Sequence, residues 1–189
     1  MVITINNERG FIMLKKIVIT LAVVIAIPLI VAAFVHKNYS VERTVIIDQP
    51  KNIVFQYIKL LKNQNEFSKW ATMDPAMEKT YRGIDGTVGF VSAWNSKNED
   101  VGVGEQEIKA IKEGSRIDFE LRFFKPFEAT EPAYMTTTSL SPIQTKVAWG
   151  FSGHMDYPMN LMFLFMDFER IIGADLQTGL DKLKEIQEQ

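Results

Sequence analysis

The sequence contains no cysteine and only two histidines, His36 and His154, in 189 residues. The first absence excludes disulfides, thiol nucleophiles and cysteine metal sites, none of which a domain of this size needs if its core is adequate. The second excludes a paired-histidine metal motif. Glu99 and Asp100 lack the alternating acids of a calcium loop, so no metal and no cofactor is expected. Gly83, Gly86 and Gly89, with Gly102 and Gly104 nearby, match neither the dinucleotide nor the phosphate-loop pattern and read as turn and bulge glycines. No Gly-x-Ser-x-Gly occurs, and the Ser152/His154 pair on one strand face is a weak basis for catalysis. Basic excess is missing too. Four of the 21 lysines and arginines and one of the 23 acids precede Asn38, which leaves 17 cations against 22 acids beyond it. That balance excludes nucleic acid as a partner and gives no electrostatic grip on anionic lipid.

What the chain has is one uninterrupted apolar run, Ile17 to Val35, whose sole polar member is Thr20. At about 1.5 Å of rise per residue a helix of this run reaches nearly 30 Å, the thickness of a bilayer's hydrocarbon core. Pro28 inside it removes one backbone hydrogen bond, which membrane helices tolerate. The run is expected to be a transmembrane helix over residues 17–35, after a short cytoplasmic segment 1–16. Arg9, Lys15 and Lys16 outweigh Lys37 and the more distant Arg43 as flanking charges. This bias favours the amino terminus inside and the remainder outside the cytoplasm. The protein is thus expected in the cell membrane as a single-pass chain with an extracytoplasmic domain. A cleaved signal peptide is the competing reading, with Val31-Ala32-Ala33 as the cleavage site, but the run exceeds the usual apolar stretch of about 7–15 residues. Met13-Leu14-Lys15-Lys16 could itself begin the signal-anchor.

The remaining residues, 39–189, form one expected domain. Tyr39–Ile47 alternates and is rich in β-branched residues, a strand. Asp48 is expected to cap a helix Pro50–Leu61 with an apolar stripe of Ile53, Val54, Tyr57, Ile58 and Leu61, and a second short helix spans Asn63–Trp70. Strand signals follow at Met77–Tyr81, Val88–Trp94, Val101–Lys112, Ser115–Phe124, Thr130–Leu140 and Thr145–His154. In Ser115–Phe124, Ile117, Phe119, Leu121 and Phe123 share one face and Arg116, Asp118, Glu120 and Arg122 the other, so one wall is buried and one wet. A long helix, about Asn160 to Ile186, closes the chain; its interior Gly173 and Gly179 suggest a kink or a close approach to the sheet. Strands at hairpin spacing are antiparallel. The fold class is therefore α+β: a curved antiparallel sheet of about seven strands wrapped on a long carboxyl-terminal helix, plus the amino-terminal transmembrane helix.

This order of elements resembles the START-like, Bet v 1-like superfamily of helix-grip proteins. Three stretches resemble its small bacterial polyketide cyclase/dehydrase-like members: Val45-Ile46-Ile47-Asp48-Gln49-Pro50 with Val54-Phe55; Phe67-Ser68-Lys69-Trp70; and Asn160-Leu161-Met162 through Phe165-Met166-Asp167, Ile172-Gly173-Ala174-Asp175-Leu176 and Gly179-Leu180-Asp181-Lys182-Leu183-Lys184. The resemblance implies a cavity between sheet and helix suited to an apolar or amphipathic molecule, and no particular reaction.

Within that fold, Trp70, Phe119, Trp149, Phe151, Met162 and Phe165 are the candidate cavity wall, and Arg122, Tyr134 and His154 the candidate polar groups. The flexible Met155, Met159, Met162 and Met166 cluster where such a cavity opens. The expected function is membrane-anchored binding of a hydrophobic or amphipathic small molecule, lipid included, with the membrane as the other partner. No catalytic constellation stands out. The alternatives are a cyclase- or hydrolase-type enzyme and an envelope protein-interaction module.

Overall fold

The computed structural model describes the backbone from Ile3 to Gln189 and side chains from Gly10 onward; the first two residues of the expected segment 1–16 lie outside the described residues. The chain divides into two compact units. One comprises the chain through Lys37 together with Met155–Asp167; the other comprises Asn38–His154 and Phe168–Gln189.

In the first unit, α1 runs from Ile3 to Phe34, and its portion Gly10–Phe34, 25 residues, is long and apolar enough to cross a membrane. From Gly10 on, its side chains are exposed at nearly every position; Ala32 is buried. The expected long closing helix does not begin at Asn160. Met159–Leu164 instead forms a 3-10 helix after Pro158. The cause is tertiary: Asn160, fully buried, turns its amide onto the end of α1, donating from Nδ2 to the carbonyls of Ala32 (2.7 Å) and Val35 (2.9 Å). His36 stacks on Phe163 with ring centroids 4.7 Å apart, and the Met155 amide donates to the Lys37 carbonyl.

The second unit holds seven strands: β1 (Asn38–Ile47), β2 (Glu78–Arg82), β3 (Val91–Asn95), β4 (Val103–Lys112), β5 (Arg116–Lys125), β6 (Ala129–Ser141) and β7 (Gln144–His154). They form one antiparallel sheet in the order β1-β7-β6-β5-β4-β3-β2. Three short helices, α2 (Lys51–Lys59), α3 (Gln64–Phe67) and α4 (Lys69–Met73), lie between β1 and β2, and α5 (Phe168–Gln187) ends the chain. Asp48 does not cap α2, whose start carries no side-chain cap bond. Its carboxylate accepts from Gln144 Nε2 (2.7 Å) and its amide donates to Glu188, so the competing partners hold it in the β1–β7 corner. Asp85 does cap instead. Its carboxylate accepts from the amides of Leu61 (2.8 Å) and Lys62 (3.2 Å), where the chain turns from α2 toward α3.

The core lies between the sheet and α2, α3 and α5. Phe55, Ile58, Phe67, Leu176, Leu180 and Leu183 meet Ile47, Met135, Ile117, Phe119, Ile108 and Phe90 there, all essentially inaccessible. The two interior glycines of α5 mark its approach to the sheet. A side chain on Gly173 would run into the Arg43 guanidinium, and one on Gly179 would meet the Trp149 ring and the Phe67 carbonyl.

Candidate functional site

Strand register sorts the inner side chains, those facing α5, into rows across the sheet. Val41, Phe151, Ala133, Phe119 and Ile108 form one row, and Arg43, Trp149, Met135, Ile117 and Ile111 the next. These rows are apolar except for Arg43, which lies under Gly173 of α5.

The row on the other side of Val41 and Phe151 differs. Leu121 pairs with Glu131 on β6 and with Gln106 on β4; Gln106 pairs with Ser92 on β3, and Ser92 with Tyr81 on β2. On the other flank, Tyr39 pairs with Gly153. Ala133 and Phe151 are partners, so Glu131 and Gly153, two residues further along each strand, stand at the same level. The inner face therefore carries a line of polar groups (Tyr39, Glu131, Gln106, Ser92 and Tyr81) bordering an apolar floor.

Tyr39 and Glu131 are the chemically distinctive members. Glu131 is buried, 8% exposed, and accepts one hydrogen bond, from the His154 amide at 2.8 Å. Burial pushes its carboxyl above the usual glutamate range, and that hydrogen bond only partly opposes the shift. The Tyr39 ring lies against Gly153, where any Cβ would stand about 2.3 Å from the ring. Burial, together with the negative charge of Glu131, pushes the Tyr39 hydroxyl up to about 12. Phe151 and Phe168 flank the ring, with centroids at 6.0 and 5.8 Å. An open hollow of about 470 Å³ lies at this end of the strands, but it belongs mainly to the outer face: Asn38, Ser40, Pro132, Ser152 and His154 line it, with Tyr39, Glu131 and Gly153 at its border. Chemically, the arrangement offers a carboxyl held toward its neutral form and a phenol beside apolar wall. That pair can donate hydrogen bonds to, or accept them from, a polar group at the end of an apolar body.

Of the residues nominated from the sequence, Phe119 and Trp149 lie on the inner face within the buried core. Phe151 and Trp70 are half-buried against it, Trp70 meeting Trp149 edge-on at 6.4 Å. Met162 and Phe165 belong to the other unit, and Phe165 is 81% exposed.

Arg122, Tyr134 and His154 share the outer face, opposite the aromatic floor, because each alternates out of phase with the inward residues of its strand. Arg122 is the hub of an ionic array, with Nε 2.8 Å from Glu105, Nη1 2.7 Å from Glu107, and a further contact to Glu120. Arg82 and Arg122 hold the Glu105 carboxyl below the usual range, and Arg122 does the same for Glu107. Tyr134 donates to Glu42 (2.6 Å) under the Arg116 guanidinium, and the His154 ring meets Asn38 (2.6 Å). Sequence reasoning missed Glu131, although a signal was present. It stands in phase with Ala133, Met135 and Thr137, the inward residues of β6. Among the described residues, no three histidines, aspartates or glutamates converge as a metal site requires.

No family model and no curated protein matches the chain in sequence. Solved structures do match in shape. Truncated norcoclaurine synthase from Thalictrum flavum superposes with a TM-score of 0.62 over 79% of this chain and 92% of that one, at 6% identity. The same enzyme has been solved with dopamine and hydroxybenzaldehyde. Ara h 8.0201 (TM-score 0.54, 13% identity, 79% and 97% covered) and the Aha1 dimer from Colwellia psychrerythraea (0.54, 12%, 79% and 96%) are similar to it on the same scale. With a seven-stranded antiparallel sheet against a closing helix, the chain has the α+β helix-grip fold that its sequence resemblance implied, and shares it with these structures.

Proposed function

We propose that the chain is a membrane-anchored binder of a hydrophobic or amphipathic small molecule, lipid included. The apolar body rests against the half-buried Trp70 and Phe151, next to the core residues Phe119 and Trp149, and the polar end meets Glu131 and Tyr39. The observation that carries this reading is the carboxyl of Glu131, turned inward and buried beside Leu121. Burying a carboxyl costs free energy that a leucine in its place would not, so a core built for stability alone would omit it. The fold of norcoclaurine synthase, solved with two small aromatic molecules, supports the same reading. Helix α1 supplies the anchor, residues 39–189 the binding domain, and the basic Arg9, Lys15 and Lys16 favour an extracytoplasmic position for that domain.

The test uses the full chain in lipid nanodiscs. A dansylated fatty acid is titrated in while energy transfer from the three tryptophans is followed, and native mass spectrometry of the same sample looks for co-purified small molecules. Saturable transfer, weakened in Glu131→Leu, is expected. No saturable transfer and no bound small molecule would overturn the reading. An acid–base enzyme is a second reading, favoured by the same raised carboxyl beside a tyrosine. Turnover of a bound ligand, abolished in Glu131→Gln, would separate it from simple binding.

A further inference from the structure

The stretch Tyr157–Met166 contains no charged residue and is bounded by Asp156 and Asp167. A segment this apolar that follows a strand usually enters a core. Here Tyr157, Met159, Leu164, Phe165 and Met166 are exposed. What holds the segment is the carboxyl end of α1: Asn160 satisfies the Ala32 and Val35 carbonyls, and Phe163 stacks on His36. The last carbonyls of a helix have no partner within it, and in a bilayer such groups must be met by protein or by headgroup water. The apolar run ends at Val35 and is followed by His36 and Lys37, so the capped carbonyls lie where hydrocarbon gives way to headgroups.

We infer that Tyr157–Met166 is a second membrane contact, an interfacial wedge whose exposed Leu164, Phe165 and Met159 insert into the outer boundary of the bilayer that α1 crosses. The occupant is lipid because the wedge is continuous with the membrane helix. A 3-10 helix rises about 2 Å per residue, so the six residues from Met159 to Leu164 span only about 12 Å around the Asn160 cap. Apolar faces of interfacial segments sit about 5–10 Å into the headgroup–acyl boundary, within that reach. The segment carries no cation, so insertion rests on its apolar and aromatic side chains and not on anionic lipid. This inference rests on the reading of α1 as a membrane helix.

The cysteine-free chain permits a direct test. Single nitroxide labels on Phe165→Cys, Leu164→Cys and Ile25→Cys, in the full chain reconstituted in zwitterionic phosphatidylcholine nanodiscs, report accessibility to oxygen and to a water-soluble nickel complex. All three native side chains are exposed, so the labels displace nothing buried, and Leu164 serves if the Phe165 variant fails. Expected is a label at Ile25 reached only by oxygen, and labels at Phe165 and Leu164 whose oxygen-to-nickel collision ratio exceeds that of free label severalfold. An Ile25 label in hydrocarbon with a nickel-accessible Phe165 label overturns the wedge alone. A nickel-accessible Ile25 label overturns the membrane reading and the wedge with it. A Phe165 label shielded from both reagents marks a protein partner or a second copy, and also overturns the wedge.

Discussion

Gly173 and Gly179 both lie in α5 where it approaches the sheet, yet alanine should act differently at the two. Alanine is the better helix former by about 1 kcal/mol, so in the absence of contacts each substitution would stabilise. Judged by distance alone, Gly173→Ala is the worse: its new carbon would stand 2.2 Å from an Arg43 terminal nitrogen, against 2.8 Å from Trp149 Cζ3 at Gly179. The identity of the neighbours reverses that order. At Gly173 the three nearest atoms all belong to the end of one flexible arginine, which is held by a hydrogen bond to the Glu42 carbonyl (2.8 Å) and a long one to the Glu169 carbonyl (3.5 Å). Swinging it aside costs about 0.5–1 kcal/mol, which the gain in helix propensity offsets.

At Gly179 nothing can give. The Trp149 ring is 5% exposed, wedged edge-on by Phe67 (5.7 Å) and Trp70 (6.4 Å), and the second contact is backbone, the Phe67 carbonyl at 3.2 Å. Ordinary carbon–carbon contact begins near 3.5 Å, so α5 must withdraw by roughly 0.7 Å along a face that also seats Leu176, Leu180 and Leu183. Overpacking costs about 1–3 kcal/mol, and with a wedged ring and a backbone carbonyl as the neighbours the upper part of that range, about 2–3 kcal/mol, applies, leaving a net loss of about 1–2 kcal/mol after the propensity gain. Thermal unfolding of the nanodisc-embedded chain, read by near-ultraviolet dichroism of the tryptophans, should leave Gly173→Ala within about 2 °C of the parent and lower Gly179→Ala by about 3–6 °C. If Gly173→Ala is the more damaged, Arg43 is a fixed strut and the reasoning fails.

Asp85→Ala should cost about 1 kcal/mol in urea unfolding, since it strands the Leu61 and Lys62 amides; Asp85→Asn, which keeps one acceptor, should lose less. The Glu131 carboxyl is raised by burial, so its contribution to stability is full below the ordinary glutamate value of about 4.3 and is lost as pH rises through the folded value. The stability of Glu131→Gln relative to the parent should therefore increase with pH from about 4 to 7, and a pH-independent difference would exclude a buried titrating carboxyl. Arg122→Met leaves Glu105, Glu107 and Glu120 facing one another, and should cost about 1–2 kcal/mol at pH 7. Arg122 helps depress the first two carboxyls, so that loss should shrink as pH falls below about 4; a penalty unchanged by acid would mean that Arg122 acts through packing alone.

Much of the fold can be read from local pattern because most elements obey it. The alternation in β5 places Phe119 inside and Arg122 outside without further information, and the structure agrees residue by residue. The interior glycines of α5 suggest a kink or a close helix–sheet approach, and both have the close approach. The expectations that differ are those where a distant partner outcompetes a local preference. Asp48 has the residue type and spacing of a helix cap, but Gln144 and Glu188, about a hundred residues or more away in the chain, hold it elsewhere. Leu161, Leu164 and Phe165 repeat at helical intervals, but Asn160 is drawn to carbonyls of α1, and the segment settles into a 3-10 helix with its apolar side chains outward.

The candidate site shows a subtler limit. Tyr39, Glu131, Gln106, Ser92 and Tyr81 come from five strands, and in its own strand each is one polar residue among several. Phase within β6 is enough to turn Glu131 inward, but phase does not say what it faces. Only cross-strand register sets it level with Gly153, and only the missing side chain of that glycine lets the Tyr39 ring lie beside it. The bulge between Ile108 and Ala110 shifts β4 by one residue relative to β5, so that Gln106 and Ile111 face the same way though an odd number of residues separates them. Without that shift, strict alternation carried down from Ile111 would turn Gln106 and Ile108 outward and Glu105 and Glu107 inward. The polar row thus depends on one irregular residue as much as on the regular pattern around it.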